Sequence, residues 1–101
     1  MAEVEWTHEA KHWLQQIYDY IARDNEEADW RTVVGIYDRV QSLRKFPESG
    51  HRYEKNPEKN IRILLYGHYR IAYLIRDEGL IHILGVLHGA LNIDEHIRKL
   101  I

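Results

Sequence analysis

The chain has 101 residues and a mass of 12.2 kDa, with 45% hydrophobic residues and no cysteine. That length holds one core of ordinary size, so a single compact globular domain over residues 1–101 is expected. The lack of thiols excludes disulfides, thiolate nucleophiles and thiolate zinc sites, and a net charge of −2 with a pI near 6.4 argues against a purely electrostatic nucleic-acid binder.

The opening MAEVEWTHEAKHW carries acidic and polar groups where a signal peptide needs a basic start and an apolar block. No later apolar run approaches the roughly 20 residues needed to span a bilayer, so a soluble, cytoplasmic protein with no membrane role is expected. Glu3 to Trp6 alternates in polarity and reads as an edge strand, and Thr7 stands where a helix N-cap belongs. Ala10, Trp13, Leu14, Ile17 and Ile21 then recur at three- and four-residue spacing, with Gln15, Gln16, Asp19 and Arg23 opposite, which predicts an amphipathic helix. Asp24 and Asn25 interrupt it. Glu26 and Glu27 put negative charge at the start of a second helix, where the macrodipole favours it. Its stripe is Val33, Ile36, Tyr37, Val40 and Leu43, and Phe46-Pro47 ends it, because proline disfavours helical geometry in the residue before it.

His51 to Lys59 is polar, contains Pro57 and reads as a loop presenting Arg52, Glu54, Lys55 and Lys59. Ile61 to Tyr66 and Tyr69 to Arg76 read as strands joined by a two-residue hairpin at Gly67-His68. Asp77-Glu78-Gly79 turns the chain into a third strand, Leu80 to His88. Asn92 to Ile101 is a short amphipathic tail with Ile93, Ile97 and Leu100 on one side. Helices followed by a β meander predict an α+β fold in which an antiparallel helical hairpin covers one face of the sheet.

Three groups of residues could carry chemistry. His8-Glu9-Ala10-Lys11-His12 matches the zinc-protease pattern HExxH, but at about 100° per residue both histidines project away from the apolar stripe, and no third ligand accompanies them. They read as a solvated first turn. Arg62 and Arg70 stand in otherwise apolar, aromatic strands, where a guanidinium loses hydration and needs a local reason to be kept. The alternatives are an anionic partner or pairing with internal acids such as Glu54 or Asp77. With Tyr66 opposite Tyr69, strand alternation puts the two arginines on opposite faces; a looser turn would put them together. His88, at the end of the last strand, either caps the sheet or serves as a general acid or base with Glu54 and Arg70.

The order AKHWLQQIYDYIARDN, LRKFPESGHR, IRILLYGHYRIAYLI and IHILGVLHGA resembles the RelE/ParE toxin superfamily of type II toxin–antitoxin modules over nearly the whole chain. The resemblance implies a short N-terminal strand, a helical hairpin, a three- to four-stranded antiparallel sheet and a short C-terminal helix, with no cofactor or metal. ParE-like members poison DNA gyrase and are not nucleases, whereas RelE-like and YoeB-like members cut mRNA at the ribosome. For the nuclease branch the resemblance implies Glu54, Arg70 and His88 as catalytic groups, with Arg62 beside them. The long two-helix front half, the VLHGA ending and the mild acidity favour the ParE-like branch. The family's usual HGxR ending is HGALN here, with Leu91 where an arginine is common. Either branch implies an antitoxin that lays a helix or strand on exposed apolar surface, for which Ile93, Ile97, Leu100 or an open sheet edge are candidates, with Arg62 and Arg70 facing a partner. Such surface would also allow a homodimer or a toxin–antitoxin hetero-oligomer.

Overall fold

The computed structural model describes residues 1–22, 26–89 and 91–101, and the side chains of all of these except 21, 22, 26–29 and 78. The expected break at Asp24-Asn25, the charges of Glu26 and Glu27, the Arg23 position and the Ile21 side chain lie outside that description. In chain order come β1 (Glu3–Trp6), α1 (His8–Ala22), α2 (Glu26–Gln41), a 3₁₀ turn (Ser42–Arg44), β2 (His51–Arg52), β3 (Ile61–Tyr66), β4 (Tyr69–Ile75), a second 3₁₀ turn (Asp77–Gly79), β5 (Leu80–His88) and α3 (Ile93–Leu100).

The sheet has five strands in the order β1-β5-β4-β3-β2, and it is mixed. β3, β4 and β5 form the expected meander, with Tyr66 opposite Tyr69 around a Gly67 at φ 55°. Two features correct the expectation of a three- to four-stranded antiparallel sheet. β1 pairs parallel with β5, Glu3 opposite Leu80 through Trp6 opposite Ile83. At the other edge His51 and Arg52, read as the start of a loop, form a two-residue strand on β3. The second helix also stops earlier than predicted, at Gln41, with Leu43 buried in the 3₁₀ turn that follows.

Thr7 fastens β1 to α1 as its residue type predicts. Its Oγ1 accepts from the Ala10 amide at 3.1 Å and donates to the Ile83 carbonyl at 2.7 Å, so the helix cap is also a bond to β5. α1 and α2 then cover one sheet face: Ala10, Ile36, Val40 and Leu43 pack on Leu64, Ile71, Tyr73, Ile81, Ile83 and Val86, all buried. Gly35 lets α2 approach the sheet, because the Tyr66 hydroxyl fills the space a Cβ would need there.

The second face is not open. Ile61, Ile63, Ala72 and Leu84 are covered by α3 through Ile97, which is wholly buried, with Ile93 and Leu100 packed around it. Asn92 caps α3 by accepting from the Glu95 amide at 3.3 Å. Beyond Ile83 the outer edge of β5 has left β1 behind. There Trp13 of α1 meets His96 of α3 edge-to-face at 5.2 Å between ring centroids. Trp13 and Leu100 both crowd Gly85, so side chains from two helices cover the strand where an edge would otherwise stand open.

Candidate partner-binding surface

The two strand arginines are held by backbone, and the register places them on opposite faces. Arg62 pairs with Tyr73 on the hairpin side, and its Nη1 donates to the carbonyls of Glu48 and Gly50 at 3.1 and 2.8 Å. Arg70, on the α3 side, sends Nη2 to the carbonyls of Gly89 and Leu91 at 3.0 and 2.9 Å. Each Nε is buried without a partner, and neither guanidinium meets a carboxylate among the described residues. The local reason for keeping these charges is therefore loop anchorage: one arginine ties down the turn after α2, the other the turn before α3. Both guanidiniums are half-buried and spend donors on main-chain carbonyls of their own chain.

Nor do the residues implied for a nuclease converge. Glu54 is exposed in the loop that enters β3 at Ile61, while Arg70 and His88 lie at the far end of the strands, roughly 15 Å away at ~3.3 Å per residue. Arg70 and His88 also sit on opposite faces. Ala72 pairs with Gly85 but Tyr73 with Ile83, so Leu84 is an extra residue in β5, and this bulge swings Val86 and His88 to the hairpin side. There His88 stands edge-on to Tyr69 at 5.5 Å and lines a pocket of about 360 Å³ with Trp13, Ile17, Tyr20 and Leu91. Burial pushes the Tyr69 hydroxyl pKa up, with Tyr20 adding to it. The base, the charge stabiliser and the acid are thus not assembled.

The remaining candidates resolve simply. His8, Glu9 and His12 are exposed on the first turns of α1, as the helical projection requires. Of the Ile93, Ile97 and Leu100 stripe, Ile97 is wholly buried, and Ile93 and Leu100 are half-buried around it. α3 is pinned at its start by Asp94, which accepts from Tyr53 Oη at 2.9 Å and pairs with Lys55. The Lys55 hydrogen bond first, and then that of Tyr53, hold the Asp94 carboxyl below its ordinary 3.8. A carboxylate with a depressed folded pKa stabilises above its unfolded pKa and loses that contribution as pH falls through the folded one. Amide exchange in α3 is therefore expected to accelerate, beyond its intrinsic pH dependence, below about pH 4, and Asp94→Asn should abolish the effect. Equal protection at pH 3 and pH 6 in the unaltered protein would contradict it.

What the sequence did not announce is a groove of about 590 Å³ between α1, α2 and β1. Trp6 and Leu14 form its floor, and Tyr18, Trp30 and Tyr37 its walls. Trp30 is 63% exposed, Tyr37 49% and Tyr18 39%, so three large rings stand in water on one side of a 101-residue chain. Tyr37 stacks near-parallel to Trp6, 6.3 Å between centroids and 9° from parallel, and the Trp6 Nε1 is buried without a partner. Lys11 is the charged group on the lining, and no carboxylate joins it among the described residues. The available signal was Tyr18 and Trp30, aromatic residues off the apolar periodicity of their helices. Tyr37, by contrast, falls on the predicted apolar stripe of its helix, yet it is 49% exposed.

The described residues form a helical hairpin over a mixed five-stranded sheet, with an exposed aromatic groove between α1, α2 and β1. The family profile of the ParE toxin of type II toxin–antitoxin systems, parDE, matches residues 4–93. The chain belongs to the ParE toxin family. Among solved structures it is similar to the chromosomal ParDE toxin–antitoxin system from P. aeruginosa, with a TM-score of 0.73 and 23% identity over 87% of this chain and 96% of that one, a likeness of fold. A search of curated protein sequences finds no match. No helix among the described residues is long and apolar enough to cross a membrane.

Proposed function

We propose that the chain is the toxin of a two-component module, that it arrests bacterial growth by poisoning DNA gyrase, and that its antitoxin silences it by laying an amphipathic segment in the α1–α2 groove. Membership of the ParE family supports the toxin role. The observation that carries the binding mode is the groove itself: exposed Trp30, Tyr37 and Tyr18 around one lysine suit a helix with apolar anchors and a carboxylate opposite Lys11. Poisoning a protein target needs no proton transfer, which agrees with the separation of Glu54, Arg70 and His88.

Induced expression in a bacterial host tests the reading. Growth is expected to stop with double-strand DNA breaks and intact messages, and co-expression of the antitoxin should restore it. Arrest with unbroken DNA and codon-phased message cleavage would replace gyrase with the ribosome as target. Harmless expression would remove the toxin role altogether.

A further inference from the structure

Residues 46–50, FPESG, form a surface turn fixed by a series of hydrogen bonds. Phe46 N donates to Ser42 O at 3.0 Å and Ser49 N to Phe46 O at 3.1 Å. From beneath, the buried Tyr73 hydroxyl donates to Pro47 O at 2.7 Å and accepts from Gly50 N at 2.9 Å. Arg62 takes the carbonyls of Glu48 and Gly50. An ordinary connection of this length is satisfied by water. Here the buried Tyr73 and the half-buried Arg62 fix it from the sheet, and the Arg62 Nε is itself buried without a partner. At the start of this clamped turn Phe46 is 63% exposed. Exposed Lys45 and Arg52 flank it in sequence against the single acid Glu48. The surface shares no residue with the α1–α2 groove.

We infer that the Phe46–Pro47 corner is a second docking surface, separate from the antitoxin groove, through which the toxin engages its protein target. A rigid convex aromatic suits a folded partner offering an apolar pocket, because an anchor whose backbone is already immobilised loses little further entropy on insertion. The excess of flanking lysine and arginine calls for an acidic rim around that pocket. A concave groove, by contrast, suits a flexible segment. The inference rests on the toxin role proposed above, and on gyrase only as the name of the target.

Phe46→Ala, Phe46→Trp and Lys45→Glu in the full chain test it, with two readouts: growth arrest at matched expression, and the dissociation constant of the complex with the antitoxin. Phe46→Ala is expected to raise the dose needed for arrest at least tenfold while antitoxin affinity stays within twofold. Phe46→Trp should retain arrest, and Lys45→Glu should weaken it. Full toxicity of Phe46→Ala overturns the inference and leaves the toxin role standing, and so does a parallel loss of antitoxin binding. An unaltered chain that fails to arrest growth overturns the toxin role, and this inference with it.

Discussion

Tyr73→Phe is expected to lower the stability of the fold by about 1–3 kcal/mol, since the lost hydroxyl leaves the buried Gly50 amide and the Pro47 carbonyl without their partner. The ring itself is retained, so the effect isolates the hydroxyl. Set against a total stability on the order of 5–15 kcal/mol, such a loss is easily read as a lower urea midpoint at unchanged slope. Gly50→Val should exceed it, because even a Cβ there meets the Ile63 carbonyl and the Tyr73 ring at 2.8 Å. Burial raises the Tyr73 pKa above its ordinary 10.0. A group with a raised folded pKa stabilises fully below its unfolded pKa and loses that contribution as pH rises through the folded one. Part of the alkaline unfolding of the protein should therefore disappear in Tyr73→Phe. A midpoint indistinguishable from that of the unaltered chain would mean that the turn after α2 is not held from the sheet.

The second large effect falls on binding. Replacing Trp30 and Tyr37 together by alanine is expected to weaken antitoxin affinity by about 30-fold or more, the equivalent of ~2 kcal/mol for central aromatic anchors. Trp30 should contribute more than its exposure in the free chain suggests, since a bound segment would desolvate it from the open side. Tyr37 acts with Trp6, on which it stacks, so single changes at those two positions will not add. Because Trp30 and Tyr37 are 63% and 49% exposed, thermal stability should change little, which separates a binding effect from unfolding. Isothermal titration against the purified antitoxin reads the outcome. Unchanged affinity would move the antitoxin to another face, with the pocket of Tyr20, Tyr69 and His88 the next to test.

Much of this architecture was legible from local pattern. The three- and four-residue spacing placed Ala10, Leu14 and Ile17 against the sheet, Thr7 declared itself as a cap, and Gly67-His68 set the register that parts Arg62 from Arg70. Features that depend on distant pairing were not legible. The partner of β1 lies 77 residues on, Glu3 opposite Leu80, and nothing in EVEW specifies a parallel neighbour. His51-Arg52 is too short and polar to read as a strand, and only the edge of β3 makes it one. His88 changed faces through one extra residue, Leu84, which alternation alone cannot reveal. The arginines posed a real question in the sequence, but its answer is backbone carbonyls of two turns, which no spacing rule identifies. The groove emerged last, because whether Trp30 and Tyr37 are exposed depends on how two helices cross and not on either helix alone.

The parallel seam between the first and last strands has a bearing on how the molecule comes into being. During synthesis β1 emerges well before its ladder partner, residues 80–83, so that pairing must wait until the helices and the first strands of the meander have been made. Contacts so distant along the chain make for late closure, with the meander and helices organising ahead of them. Amides of residues 3–6 should accordingly gain protection last in pulse-labelled refolding, and early protection there would refute the order. A newborn toxin would then pass through a stage in which the flank beside Ile81 and Ile83 is bare, and an antitoxin already present could meet it before it is finished.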